Sequence, residues 1–329
     1  MRKIKAVYTL PIIFIALLLA GVALFLANSS QLTTINITGA IDNNVWTYDF
    51  EKAKEYLKKY GIKAQLINTT GPAEVASLLS DPKSKLNTAF VFDGLLTQEQ
   101  ATNLYSLGGF SYDPIWIFYN DTVVGDLFSI KDIAKQKVVI GSKGTDSYFL
   151  TKKLFDLNGI NIEENSNFIS LSIDERLDAF LSGKASVMIF DGPFSGEIIQ
   201  KSFNAGAKLF EIPDTNNYIT RSDFIALTLP AGSMSFNGTV PAKDTKLLAT
   251  TTLLVVKKDL APGLQLAILM TAAKLIRQNP YTWDSVKIQF PAPMFGSSID
   301  ISPTALKYYA EGPPLLIQYF PFLLPYWPF

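Results

Sequence analysis

Two hydrophobic periodicities alternate along the chain. INITGAI (35–41), AQLIN (64–68) and TAFVFDG (88–94) are short apolar or alternating runs that predict strands. Between them, YDFEKAKEYLKKYGI sets Phe50, Ala53, Leu57 and Tyr60 on one helical face and stops at Gly61. Thr69-Thr70-Gly71-Pro72 then opens a second helix with proline in its first turn. The alternation restarts after DPIWIFYN (113–120). KVVIGSKG predicts a strand and turn, TDSYFLTKKLFDLNGI a helix ending at Gly159, SIDERLDAFLSGKA another helix, and SVMIFDG (186–192) a strand. FSGEIIQKSF and AKLFEI continue as helix and strand; beyond DFIALTLPAG come strand-like TTLLVVKKDL and a helix over 264–278. Strands alternating with helices predict an α/β protein with a largely parallel sheet. TAFVFDG and SVMIFDG share the ending Phe-Asp-Gly, which predicts two pseudo-equivalent lobes. Asp93 and Asp191 then fall at strand carboxyl ends, where open α/β sheets bind ligands.

Both ends of the chain are apolar. Arg2, Lys3 and Lys5 precede LPIIFIALLLAGVALFLA (10–27), and no charge follows until Asp42. A basic start before such a run is an export signal or a membrane anchor, read here as an anchor, with residues from about 31 onward outside the cytoplasm. The ending YYAEGPPLLIQYFPFLLPYWPF is broken by prolines. It suits an apolar tail packed on the domain or a segment lying at a membrane interface, where Trp and Tyr are favoured.

Composition narrows the chemistry. Histidine and cysteine are both absent from the 329 residues, and Lys+Arg balances Asp+Glu at 29 each. Zinc sites of the usual ligand types, Ser-His-Asp and Cys-His nucleophiles and disulfides are thereby excluded, and no metal or cofactor is implied. Without clustered cations nucleic acid is not a main partner. Catalysis would have to use carboxylates such as Asp93 and Asp191 converging on one substrate. The group Asp174, Glu175 and Asp178 spans one helical turn and reads as an exposed face.

VVIGSKGTDSYF (138–149) has neither the G-x-x-x-x-G-K-[ST] nor the G-x-G-x-x-G spacing, so nucleotide phosphate binding is not indicated. A strand, a turn and an N-cap from Thr145, Asp146 or Ser147 remain, whose free N–H groups favour an anionic or hydrogen-bond-accepting ligand. Thr69, Thr70 and Gly71 make a similar start in the first half. Two such turns facing each other would form a clamp. Of the arginines, Arg176 and Arg277 lie in helical patterns and read as solvated, whereas Arg221, in a loop, is the candidate carboxylate partner.

Taken in order, LLSDPKSKLNTAFVFDG, DPIWIFYN, KVVIGSKGTDSYFLTKKLFDLNGI, RLDAFLSGKASVMIFDGP, DFIALTLPAGSMSFNGTVPAKDTKLLATTTLLVVKKDL and SPTALKYYAEGPPLLIQYFPF resemble the TAXI-type solute receptors of TRAP transporters, within the type II periplasmic binding protein superfamily. The resemblance covers roughly 34–325. It implies two α/β lobes joined by crossing strands and a solute held between them without chemistry. By matched position it assigns helix-start contacts to Gly144, Thr145 and Ser147 in one lobe and to Thr69, Thr70 and Gly71 in the other. The loop Gly39-Ala40-Ile41-Asp42-Asn43-Asn44 stands where the family has a glycine-rich loop. Members with this Gly-Pro-Pro tail often continue into membrane helices.

The expectation is therefore a two-lobed type II periplasmic-binding-protein-like α/β fold with an N-terminal hydrophobic helix. Its parts are a signal or anchor (1–30), lobe 1 (31–113 and 223–284), lobe 2 (114–222) and a tail (285–329). The expected function is that of an extracytoplasmic receptor for a small polar organic solute, a carboxylate being one candidate, with TRAP membrane subunits as partners and membrane attachment through residues 10–27. Ligand contacts are expected from Asn43, Thr69, Thr70, Gly71, Asp93, Gly144, Thr145, Asp146, Ser147, Asp191 and Arg221. The rivals are a membrane-anchored sensory or scaffold module derived from such a receptor, and a carboxylate-dependent hydrolase or lyase.

Overall fold

The computed structural model describes residues 34–38, 45–192, 196–235, 238–278 and 290–326; the apolar run 10–27 and Asn43 lie outside them. In chain order the principal elements are β1 (Thr34–Thr38), α1 (Val45–Lys59), β2 (Lys63–Leu66), α2 (Pro72–Ser80), β3 (Thr88–Phe92), β4 (Leu104–Tyr119), β5 (Val138–Ile140), α3 (Asp146–Asp156) and β6 (Phe168–Ser170). They continue with α4 (Ile173–Leu181), β7 (Val187–Asp191), α5 (Glu197–Asn204), β8 (Lys208–Leu209), β9 (Ile225–Leu229), β10 (Thr245–Lys257), α6 (Pro262–Gln278), α7 (Pro303–Glu311) and α8 (Leu315–Tyr319). A 3₁₀ turn, Pro321–Tyr326, follows.

The strands run in the order β2-β1-β3-β10-β4-β7-β5-β6, with β9 on β10 and β8 on β4. Read from either end, the order repeats one plan: β2-β1-β3 against β10, and β6-β5-β7 against β4. The Phe-Asp-Gly strands β3 and β7 occupy equivalent places, as their sequences predict. Parallel pairing holds within β1, β2 and β3 and within β5, β6 and β7. The long strands β4 and β10 enter antiparallel, so the sheet is mixed rather than largely parallel. Sequence alternation cannot show this, because a buried strand is apolar on both faces in either direction.

β4 changes partner between Pro114, opposite Ala249, and Ile115, opposite Asp191. This one strand therefore belongs to both lobes. In lobe 1 the sheet is covered on one face by α1 and α6, with Ile35, Leu57, Phe110 and Leu264 in the shared core. On its other face, α2 contributes Val75, Ala76 and Leu79. Lobe 2 has the same three layers. Leu150, Leu154 and Phe155 of α3 pack on one face, and Phe180 with Ile198 and Ile199 on the other. Leu227 and Leu229 of β9, with Leu247 and Ala249 of β10, join this second cluster. The return of the chain from lobe 2 to lobe 1 thus falls inside β10, later than the boundary at 223 expected from the sequence, and Asp223 and β9 go with lobe 2.

Local chemistry sets the helix ends. α1 carries Lys58 and Lys59 in its last turn, where cations favour the helix dipole, and Gly61 closes it at φ +76°. α3 begins at Thr145, whose hydroxyl accepts the Tyr148 N–H at 3.3 Å. Among the described residues no helix is long and apolar enough to cross a membrane.

Candidate functional site

The carboxyl ends of β1, β3, β5 and β7 converge on the line where β4 and β10 cross between the lobes. From lobe 1, the turn before α2 reaches across this line and meets the turn before α3. Gly71 sits at φ +147°, and a Cβ placed on it would overlap the Gly144 carbonyl oxygen. A Cβ on Gly144 would lie 3.4 Å from the Thr70 carbonyl oxygen. The two expected jaws thus touch backbone to backbone. They are not equivalent in the two-lobe plan, however. The Gly144 turn follows β5, whose counterpart is β1, so its true counterpart is the loop 39–44 that holds Asn43. The Gly71 turn follows β2, the counterpart of β6.

A second crossing contact lies at Asp93-Gly94. Lys153 of α3 and Asp223 form an ion pair at 2.8 Å, and a Cβ on Gly94 would come within 2.6 Å of the Lys153 Nζ. Lobe 1 therefore rests on an ion pair of lobe 2. Asp93 itself accepts the Ser298 hydroxyl at 2.7 Å and the Ser298 N–H at 3.1 Å. Burial raises its carboxyl pKa, against the lowering effect of Ser298, and the Asp223 charge adds to the rise.

Several expected ligand groups are already engaged. Thr69 is buried and shares a 3.1 Å hydroxyl hydrogen bond with Thr38. The N–H and hydroxyl of Thr70 both donate to Glu74, at 2.6 and 2.7 Å. Those bonds hold the Glu74 carboxylate below its ordinary pKa. Glu74 therefore supplies the anion that the start of α2 favours. Thr145 caps α3 and donates to the Ser142 carbonyl at 2.8 Å.

Ser147 is buried, and its hydroxyl accepts from Arg176 at 3.0 Å. Arg176 is not solvated, as its helical pattern suggested, but 3% exposed, and it also donates to the Ile189 carbonyl. The reason is its register, four residues before the buried Phe180 on the inner face of α4. Asp174, Glu175 and Asp178 are exposed as expected. Arg221 lies exposed two residues before Asp223. Asp146, opening α3, and Asp191, ending β7, both make polar contacts of their own.

Sequence reasoning passed over Asp113. It sits in β4 one residue before the change of partner, held by Thr252 and by Ser111. Burial and the nearby Asp191 charge push its carboxyl pKa up to about 6 from 3.8, while the hydroxyls of Thr252 and Ser111 pull the other way. The available signal was a lone acid inside the apolar strand LYSLGGFSYDPIWIFY, since aspartate is depleted from strands. Asp93 faces Asp223, whereas Asp191 faces Asp113. The two acids of the hydrolase reading are thus each coupled to a different neighbour. Among the described residues no group of three or more His, Cys, Asp or Glu side chains could hold a metal ion.

Asp113 makes stability depend on pH in a known direction. Its folded pKa is raised, so the folded state takes up a proton more readily than the unfolded chain. The cost of the buried carboxylate is full above pH 6 and disappears as pH falls toward 3.8. At 1.4 kcal/mol per unit of pKa, urea unfolding from pH 7 to pH 4 should show a gain of at most about 3 kcal/mol from this group. Asp113→Asn should remove that gain; an unchanged pH profile would contradict the assignment.

The model of the NMT1-like family matches residues 51–312. Comparison with curated proteins returns no match. Solved structures that the chain matches include the periplasmic sulfonate-binding protein SsuA from Methylobacillus flagellatus, at 14% identity over 75% of this chain and 69% of that one, with TM-score 0.42. SsuA from Escherichia coli gives 10% identity, 74% and 72% coverage and TM-score 0.44. The GluR0 ligand-binding core from Nostoc punctiforme in complex with L-glutamate gives 16%, 76%, 95% and 0.43.

Proposed function

From a chain that belongs to the NMT1-like family, and whose two lobes meet around four strand ends, we propose a solute receptor of the periplasmic binding protein kind. It holds a small polar organic solute between the lobes and does no chemistry on it. The observation that carries this reading is the pair of interlobe contacts, Gly71 on Gly144 and Gly94 on the Lys153–Asp223 ion pair. Each is close enough to report whether the lobes are together, and neither holds a nucleophile or a general base aimed at a shared point. Lobe closure over a solute selects this arrangement from more open ones.

The finer reading is a TAXI-type receptor working outside the cytoplasm with TRAP membrane subunits and tethered by residues 10–27. It rests on the ordered segments that resemble that family and on the basic-then-apolar N-terminus. Of the expected contacts we retain Gly71, Asp93, Gly144, Asp146 and Asp191, with Asn43. Thr69, Thr70, Thr145 and Ser147 act through the groups they hold in place. Asp93, Asp113 and Asp191 give the crossing an acidic lining, Asp223 being balanced by Lys153, so a solute with ammonium or hydroxyl donors suits it better than a simple carboxylate held by Arg221.

Thermal unfolding of the purified full chain in mild detergent, screened against organic acids, amino acids, amines and polyols, tests this. One class should stabilise the protein, by about 2.7 kcal/mol at a hundredfold excess over Kd, and should be recovered unchanged. No stabilisation by any class would overturn the receptor reading, and a chemically altered solute would revive the hydrolase.

A further inference from the structure

The tail is held to lobe 1 at two points, Ile317 and Leu324, both buried in the core shared with α1 and α6. Around these anchors the other large apolar and aromatic side chains among the described residues turn outward. Leu315 is 74% exposed, Tyr319 77% and Phe322 58%, with Leu316, Phe320 and Leu323 beside them. Other exposed apolar side chains, such as Val123, Phe128 and Phe295, are scattered along the chain. A contiguous patch of this kind marks a surface that meets something.

Its position follows from a chain of contacts. The Asn87 side chain donates to the Thr34 carbonyl at 3.3 Å, and the Asn87 carbonyl accepts the Lys257 N–H at 3.0 Å. The Leu260 N–H returns to the Lys257 carbonyl, and Gly263 packs directly on the Leu324 carbonyl. The start of β1, the end of β10, the start of α6 and the tail are therefore neighbours. All lie at the end of lobe 1 opposite the carboxyl ends of β1 and β3.

We propose that the tail patch rests in the headgroup layer of a lipid bilayer, the same bilayer that receives residues 10–27. Ala27 is seven residues from Thr34, a reach of at most about 25 Å. The point at which that run joins lobe 1, Thr34, is thus at the end of the lobe that bears the patch. From Gly312 to Phe329 the sequence carries no charge and is rich in Leu, Phe, Tyr and Trp, the composition favoured at membrane interfaces. Exposed Lys58, Lys59, Lys63, Lys83 and Lys85 and half-exposed Lys258 surround the same end, with Asp81, Asp259, Asp300 and Glu311 among them. A net positive rim suits anionic lipid. The receptor then stands on lobe 1, with the crossing and lobe 2 away from the lipid.

The absence of cysteine from the chain makes the test direct. Full-length Tyr319→Cys, Phe322→Cys and, as a lobe 2 control, Phe128→Cys are labelled with bimane and reconstituted in phosphatidylcholine–phosphatidylglycerol vesicles containing doxyl lipid. Quenching should be at least about threefold stronger at 319 and 322 than at 128, because contact quenching requires the probe to reach the headgroup and acyl boundary. Equal weak quenching at all three positions would overturn the proposal. So would shielding of 319 and 322 from both doxyl lipid and aqueous iodide, which would indicate a second copy or another protein on the patch. A chain that does not float with the vesicles would overturn it as well.

Discussion

Gly71→Val is expected to hold the lobes apart and weaken solute binding by about 100-fold or more. The Gly71 Cα faces the Gly144 carbonyl with no room for a methyl group, and neither partner is a side chain that could swing away. Its φ of +147° adds strain for any L side chain. The mutant must therefore give up the contact rather than adjust it. If the closed arrangement falls to about 1% of the population, apparent affinity falls by the same factor. Spin labels at Lys83→Cys on lobe 1 and Phe128→Cys on lobe 2 should report a longer and broader distance in the variant. Gly61→Ala is the control. It too has positive φ, but open space surrounds it, so it should cost about 1 kcal/mol of stability and leave the distance unchanged. An unaltered label distance in Gly71→Val would refute the interlobe role.

Arg176→Ala should destabilise the protein by about 2–5 kcal/mol in urea unfolding. The guanidinium is buried between α3 and β7, where it donates to the Ser147 hydroxyl and the Ile189 carbonyl at 3.0 Å each. Removing it leaves two buried acceptors without their donor and a void where a long side chain lay. Lysine should recover only part of the loss, because one ammonium cannot reproduce the planar fork of donors. Solute affinity should fall as well, since Ser147 opens the helix whose start meets Gly71. Full stability in Arg176→Ala would show that the packing alone suffices.

Much of the fold was legible from spacing. Period-two and period-3.6 runs located β1, β3, α3 and α6, and the Phe-Asp-Gly echo anticipated the equivalent places of β3 and β7. What spacing could not show was direction: β4 and β10 look like any buried strand until their partners are known. At the site, Gly71 and Gly144 were found because glycine before a helix has a backbone reason to be there. Ser147, Thr69 and Thr70 were legible as residue types but not as satisfied ones, because their partners Arg176, Thr38 and Glu74 depend on register or on contacts far along the chain. Asp113 was hidden by the opposite problem. It belongs to a strand whose apolar neighbours dominate the pattern, and its weight comes from burial and from Asp191, none of which spacing records.

The placement of β10 has a consequence for the order in which the protein can be assembled. Most of lobe 2 is written continuously, so the second half of β4 can pair with β7 and β8, and β5 with β6 and β7, as soon as Leu209 has left the ribosome; only β9 waits for the first residues of β10. Lobe 1 cannot be finished then. β3 and β4 are not neighbours but are joined through β10, which pairs with both and arrives only at Thr245–Lys257. Until that stretch emerges, β3 presents an open edge and β4 has only its lobe 2 half in place. The lobe encoded first is therefore the lobe completed last, and its β1–β3 segment must wait, unpaired on one side, for more than a hundred residues of later chain.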